Sequence, residues 1–317
     1  MKRLQAMLVS ALVLSATATR AWDDQGHMMV AALAWDHLNA TTRVKVTALL
    51  KLNPDYGTWT AGADPGAIDQ IAFVEAATWP DAIKGETGYT DDGDKPTDPN
   101  AAQNIGYADK LQHRYWHFID TPFSTDGTPL VQPIPPNAQT QIEAFRTVLA
   151  SPDATDDLKS YDLAWILHLV GDIHQPLHAT SRFTATQPTG DEGGNLVKIS
   201  QRRSGFLPFF ASRTSAKVLH AFWDDVLGTS KSPTAAITAA EALPGAPADQ
   251  AAIADDAVWI QESFQAAQQY AYAAPIGPGA GPYTLSAAYK ANAKSAAQGR
   301  IALAGVRLAN LLNAALP

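Results

Sequence analysis

The stretch Trp165-Ile-Leu-His-Leu-Val-Gly-Asp-Ile-His-Gln-Pro-Leu-His178 constrains this chain more than any other. Read as a helix ending in a proline turn, it sets His168 and Asp172 four residues apart, so both project from one face. Leu163, Ile166 and Val170 fall on a different face at helical spacing and can enter a core. Gln175-Pro176 stops the helix, because proline lacks an N–H and restricts the residue before it. The turn then brings His178 back toward the same place. Two imidazoles and a carboxylate are zinc-type ligands, although a capped helix with hydrogen-bonded histidines has the same letters. Leu219-His-Ala-Phe-Trp-Asp-Asp225 repeats the device, with His220 and Asp224 at i and i+4 of a second expected helix. Two such helices, with His178 besides, point to several metal ions rather than one.

Cysteine is absent, which excludes thiolate ligands and a disulfide framework. A formal charge of −8 argues against a simple basic nucleic-acid-binding module. It does not argue against a nucleic-acid enzyme, since each bound zinc brings two positive charges to the site itself. Residues 1–21 read as an export signal: Lys2 and Arg3 lead, Leu4 to Leu14 form a short apolar run, and Thr19-Arg20-Ala21 offers small residues for cleavage. That run is too short to span a bilayer, so the expectation is a secreted or periplasmic protein. The remaining chain, 22–317, carries 20 basic against 31 acidic residues, or −11. Cleavage after Ala21 would expose the α-amine of Trp22, whose pKa near about 8 lets a metal displace its proton. His27 lies five residues on, ahead of an apolar helix from Met28 to Leu38. On its own it reads as a helix-start histidine.

Further helices are expected over 41–51, 66–77, 136–150, 155–172, 248–273 and 285–314, the last with a stripe of Ile301, Ala304, Leu308 and Leu312. Residues 85–108, rich in Gly, Asp, Pro, Thr and Asn, read as an exposed loop. Residues 183–219 are the least regular, with a strand-like run from Leu196 to Ser200; 201–210, with two arginines beside aromatics, reads equally as a substrate loop or a surface hairpin. His113 reads as a surface residue, and His37 and His174 receive no role beyond an outer hydrogen bond for His174. No internal repeat or second domain is visible.

Taken in order, Trp22-x-x-x-Gly-His27, Trp79-Pro-Asp81, His117-Phe-Ile-Asp120, His168-x-x-x-Asp172-x-x-Gln-Pro-Leu-His178, Gly193-Gly-Asn195 and His220-x-x-Trp-Asp224 resemble the S1/P1 nuclease family. The likeness runs from Trp22 to about Leu312. It implies an all-α, single-domain fold with a cleft holding three zinc ions. One zinc would take Asp81, His117, His168 and Asp172; a second the Trp22 amine and carbonyl, His27 and Asp172; a third His178, His220 and Asp224. Asp172 would therefore bridge two metals. The family counterparts of Phe118 and Asp120 stack on and hydrogen-bond a nucleobase, although Phe118 also suits core packing. Asp81, Lys84 and Asp172 would be catalytic, with Lys84 standing where many members carry an arginine that supports the transition state. Lysine keeps the charge and loses the bidentate fork. The implied reaction is hydrolysis of single-stranded DNA and RNA to 5′-phosphorylated nucleotides, with 3′-nucleotidase activity, by a monomer.

Two rival readings remain at this level. The related zinc-dependent phospholipase C branch acts on lipid phosphodiesters, which leaves a phospholipid substrate open. There the third-zinc carboxylate is typically glutamate and asparagine replaces the counterpart of His174, so Asp224 and His174 favour the nuclease side. A non-catalytic secreted zinc-binding protein would need closed coordination at every metal.

Overall fold

The computed structural model describes residues 22–200 and 217–317. The expected export signal and the 201–210 segment lie outside the described residues.

The fold is mainly helical, and the sequence shows why most of the long helices start where they do. Asp23, Asn39, Asn137, Thr155, Ser232, Asp255 and Ser286 each accept a backbone N–H from the first turn that follows. Asn137 adds a reciprocal bond from its own N–H to Thr140 Oγ1, a capping box. Ser232 is followed by Pro233, whose fixed φ suits the first helical position. Asp156 and Asp157 put negative charge at the positive end of helix Asp156–Asp172.

Helix Asp156–Asp172 is the axis of the molecule. It packs against helices Ala138–Ala150 and Ala40–Leu50, and every residue from Ser160 to Asp172 is buried. The expectation of one core face and one ligand face was therefore too narrow: this helix has protein on all sides, as its long apolar run allows. Helix Asp24–His37 lies between it, helix Pro233–Glu241 and the long helix Ala287–Ala315. Gly305 permits the last contact, since a Cβ there would stand 2.5 Å from Leu33 Cβ. Six tryptophans, Trp22, Trp79, Trp116, Trp165, Trp223 and Trp259, are fully buried and supply much of the core's apolar area.

The 248–273 segment is not one helix. Ala248–Ala251 ends before Asp255 caps a new helix, Asp256–Ala266, which widens into a π turn over Ala267–Ala271. Strands are short. Pro122–Ser124 pairs in parallel with Ser181–Phe183, and Lys198–Ser200 lies between Lys217–Val218 (antiparallel) and Tyr283–Thr284 (parallel). The central strand starts within the expected Leu196 to Ser200 run. This small sheet covers a second apolar cluster around Leu177, Val197, Leu219, Trp223 and Tyr289. Ser181–Phe183 follows the turn that carries His178, and Lys217–Val218 leads directly into the helix of His220 and Asp224, so each strand system adjoins candidate ligands. No helix among the described residues is long and apolar enough to cross a membrane.

Candidate metal centre

The structure gathers eight of the nine expected ligand residues into two adjoining clusters of side chains. In the first, Asp172 Oδ2 lies 3.0 Å from His117 Nδ1 and 3.2 Å from His168 Nε2, while its Oδ1 faces His27 Nε2 at 3.3 Å. The carboxylate thus straddles two sets of nitrogen donors. Asp81 Oδ1 closes the group at 3.8 Å from both His117 Nδ1 and His168 Nε2. The His27 and His168 rings are stacked, their centroids 3.8 Å apart. In the second cluster, His178 Nε2 and His220 Nε2 are 3.0 Å apart and Asp224 Oδ1 is 3.8 Å from His220 Nε2. All eight side chains are buried.

Local sequence explains these positions. His168 and Asp172 share a face of one helix, as their spacing requires. Gln175 caps the turn by accepting the Leu177 N–H at 2.5 Å, and its Nε2 donates to Asp224 Oδ1 at 2.8 Å. Gly171 leaves room for the His27 ring, since a Cβ would stand 2.9 Å from His27 Nδ1. Gly193 adopts φ +58°, and a Cβ there would lie 2.3 Å from the Leu177 carbonyl oxygen. Only glycine fits that approach without backbone movement. Trp22 is fully buried, its Nε1 donating to the Gly171 carbonyl at 3.0 Å, and the Asp23 N–H reaches the Asp224 carbonyl at 3.2 Å. The start of the described chain is thereby tied to both ligand-bearing helices.

The protonation pattern tests whether these residues fit a metal. His168 Nδ1 donates to the Ala77 carbonyl (2.7 Å), His178 Nδ1 to the His117 carbonyl (2.7 Å) and His220 Nδ1 to the Gly193 carbonyl (2.8 Å). A carbonyl only accepts, so each neutral ring keeps a bare lone pair on Nε2. Burial holds these rings neutral: it lowers His27, His168 and His220 to about 4, and His117 and His178 well below the ordinary histidine value. Two bare Nε2 atoms 3.0 Å apart in the second cluster repel unless a cation lies between them. In the first cluster, His27 Nε2, Asp81 Oδ2 and Asp172 Oδ1 are buried and make no hydrogen bond. Burial also pushes Asp172 and Asp224 well above the usual carboxylate range, a cost that a nearby cation removes. Burial raises Asp81 too, but Lys84 and the facing histidines outweigh it and hold that carboxyl well below its ordinary value. Imidazole nitrogens backed by main-chain carbonyls, together with carboxylates, are a donor set suited to zinc. The residues fit.

Lys84 is half-buried, its side chain largely enclosed with Nζ 2.6 Å from Asp81 Oδ1, so its charge orients that ligand. It also lines a cleft of about 270 Å³ together with His117, His178, His220, Phe118 and Asp120. Phe118 and Asp120 are both half-buried there, with Phe118 also packed against the main core, so both readings of that ring hold. Burial, reinforced by Asp191, Glu192 and Asp94, pushes the Asp120 carboxyl up to about 7. The cleft also takes in Lys95 and Arg114, which the sequence reading passed over; Arg114 pairs with Asp91 and Asp94.

Two histidines differ from expectation. His113 is not a surface residue. It is fully buried, stacked on Trp116 with centroids 3.5 Å apart and held by Asp109 at 2.8 Å. Asp109 precedes and Trp116 lies within a 3₁₀ turn, Arg114–His117, too short to show a periodicity that would reveal the burial. His174 is buried too, but its Nδ1 donates to the Val170 carbonyl and its Nε2 accepts from Arg307, so its ring hydrogen-bonds no ligand side chain. His37 is exposed at a helix end. Gln175 was read only as a helix stop; its bond to Asp224 links two segments 49 residues apart, which no local pattern reveals.

The S1/P1 nuclease family model matches residues 22–317. Endonuclease 3 of Arabidopsis thaliana is 25% identical over 237 residues, 71% of this chain and 61% of that protein. The chain therefore spans less than two thirds of the length of that curated relative.

Proposed function

The chain belongs to the S1/P1 nuclease family, and on that premise we propose that it is a secreted or periplasmic zinc-dependent nuclease. It hydrolyses single-stranded DNA and RNA to 5′-phosphorylated nucleotides and acts on 3′-nucleotides. The observation that carries this reading is the Asp172 carboxylate, with Oδ2 toward His117 and His168 and Oδ1 toward His27. That division suits a ligand shared by two metal ions. The name of the Arabidopsis relative, an endonuclease, supports the same reaction class.

Three zinc ions would be held by Asp81, His117, His168 and Asp172; by His27, Asp172 and the Trp22 amine and carbonyl; and by His178, His220 and Asp224. Bound zinc supplies Lewis acidity toward the phosphate and lowers the pKa of water. The chain's own groups do the rest. Lys84 fixes Asp81 and adds positive charge at the cleft floor, as a lysine point charge rather than a fork. Phe118 offers a face on which a base of a single strand stacks, a contact a duplex cannot offer without unpairing. Asp120, near neutrality in its titration, hydrogen-bonds the base edge. The backbone carbonyls of Ala77, His117 and Gly193 lock the tautomers of three ligand histidines. Nothing in this arrangement requires a second subunit.

The test uses protein whose first residue is verified as Trp22, loaded with zinc and incubated with single-stranded DNA. Mass spectrometry of the products should find 5′-phosphate ends, lost on chelation and restored by zinc. Absence of cleavage at full zinc occupancy would reject the nuclease assignment and move the activity to phospholipid phosphodiesters. A version with residues left ahead of Trp22 should hold one zinc fewer; equal occupancy would remove the amine from the ligand set.

A further inference from the structure

The segment joining Asp172 to His178 decides how the two clusters sit against each other, so its fastening bears on both. A helix ends with carbonyls that lack intrahelical partners. Here every one from Val170 to His174 is accounted for. The Val170 carbonyl accepts His174 Nδ1 (2.7 Å), and Gly171 accepts the His174 N–H (3.1 Å) and Trp22 Nε1 (3.0 Å). Asp172 accepts the Gln175 N–H at 2.9 Å. The last two carbonyls are met from far along the chain: Ile173 by Ser263 Oγ (2.5 Å) and His174 by Arg300 Nε (3.3 Å).

Those distant donors are themselves locked. Arg300 Nη2 donates to Ser263 Oγ (2.7 Å) and to the Trp259 carbonyl (3.1 Å), and its Nη1 to Glu262 (2.8 Å). Arg307 forms two bonds to Glu262 and two to the Gln250 carbonyl, and its Nη1 also donates to His174 Nε2 at 3.0 Å. The His174 ring, with its proton on Nδ1, is an acceptor at Nε2, and arginine is always a donor. Both guanidinium groups are buried, and both lie at the C-terminal end of the ligand-bearing helix, where positive charge is favoured. A network that served only to attach helix Ala287–Ala315 would have no need to end on the carbonyls of two consecutive residues of the ligand turn.

We propose that Ser263, Arg300 and Arg307 are positioning residues that clamp the Ile173–His174 turn and thereby set Asp172 and His178 in their metal-binding places. The inference rests on the metal-binding reading above. Outer partners of metal ligands typically account for about 10–100-fold in metal affinity, and the clamp is expected to fall in that range.

The experiment compares wild type with Arg307→Gln, Ser263→Ala and, as control, Asn310→Ala, which loses a bond from the same long helix to the Ala251 carbonyl without touching the turn. Zinc content is measured by elemental analysis, zinc release by competition with a chromophoric chelator, and melting temperature with and without zinc. The clamp predicts zinc affinity about 10-fold or more weaker in Arg307→Gln, a smaller loss in Ser263→Ala and none in Asn310→Ala. It also predicts that the gap in melting temperature between loaded and metal-free protein shrinks, since ligand stabilisation scales with affinity. Equal falls of both melting temperatures with unchanged zinc affinity would overturn the clamp and leave a packing role. Should Arg307→Gln not fold, Ser263→Ala alone decides, and zinc affinity equal to wild type in that variant would overturn the proposal. A wild-type protein that takes up no zinc would end the metal-binding reading itself, whatever the variants do.

Discussion

The two clusters reach similar chemistry by different construction. The His27, Asp81, His117, His168 and Asp172 group draws its side chains from several separate segments, converging on a helix buried on every side. The His178, His220 and Asp224 group leans on turns: a short 3₁₀ segment at Pro176–Ala179, a helix of only six residues and a glycine carbonyl. The first is supported by packing, the second by backbone geometry and the Gln175 hydrogen bond. Rigid helices place side chains more reliably than loops do, so damage to the backbone of a turn should empty the second cluster while damage to the shared carboxylate should empty the first.

Asp172→Asn should have the largest effect. The amide keeps the shape but loses the charge and one acceptor oxygen, so neither set of nitrogen donors retains its carboxylate. Activity on single-stranded DNA is expected to fall more than about 100-fold, beyond the range for outer partners, with elemental analysis finding a single zinc. A variant that kept three zincs and its turnover would remove Asp172 from the bridging position and with it the contrast between the clusters. Gly193→Ala comes next. With φ at +58° and the new Cβ 2.3 Å from the Leu177 oxygen, the loop must shift at a cost of roughly 1–3 kcal/mol. The His220 ring then loses its fixed acceptor. Zinc should leave the second cluster while the first remains loaded, a stoichiometry of two. Uniform loss from both would show that the clusters form one cooperative unit.

Much of this was legible in the sequence because metal chemistry restricts residue type as well as spacing. His168 with Asp172, and His220 with Asp224, declare themselves at i and i+4, and polar caps announce most helix starts. What stayed hidden depends on long-range contact. His113 has local partners in Asp109 and Trp116, but Asp92 and Trp165, which also close around it, come from 21 and 52 residues away. The burial of helix Asp156–Asp172 on all sides follows from neighbours over 100 residues away, such as helix Ala40–Leu50. The break near Asp255 is hidden in the sequence because the alanines on both sides favour helix and mask the cap. Helix Pro233–Glu241 also lies outside the expected helices, although Ser232-Pro233 is a start signal. Gln175, Arg300 and Arg307 look like ordinary polar residues until the fold sets each against the ligand turn. Periodicity identifies a face; it does not identify what covers it.

The smallest expected effect concerns pH, and its sign differs between the two kinds of ligand. In the metal-free protein burial lowers His27, His168 and His220 to about 4, and His117 and His178 fall as well. Unfolded histidine titrates near about 6.5, so between about 4 and 6.5 the unfolded chain binds more protons and stability rises with pH. Burial raises Asp172 and Asp224, so above about 3.8 the folded state holds protons that the unfolded state has lost, and stability falls with pH. Below about 6.5 the histidines raise stability with pH against the opposite pull of the two aspartates; above it the histidine contribution is complete. Each group contributes a slope of at most about 1.4 kcal/mol per pH unit within its own window. Zinc binds the ionised carboxylates and neutral imidazoles, which removes the decline that the two aspartates impose. Melting curves of loaded and metal-free protein between pH 5 and 8 should diverge as pH rises. With Asp224→Asn the divergence should diminish by the second cluster's share while the first cluster's remains. A gap that stays constant across the range would mean that the clusters hold their protons as the loaded protein does, and that burial does not set their titration.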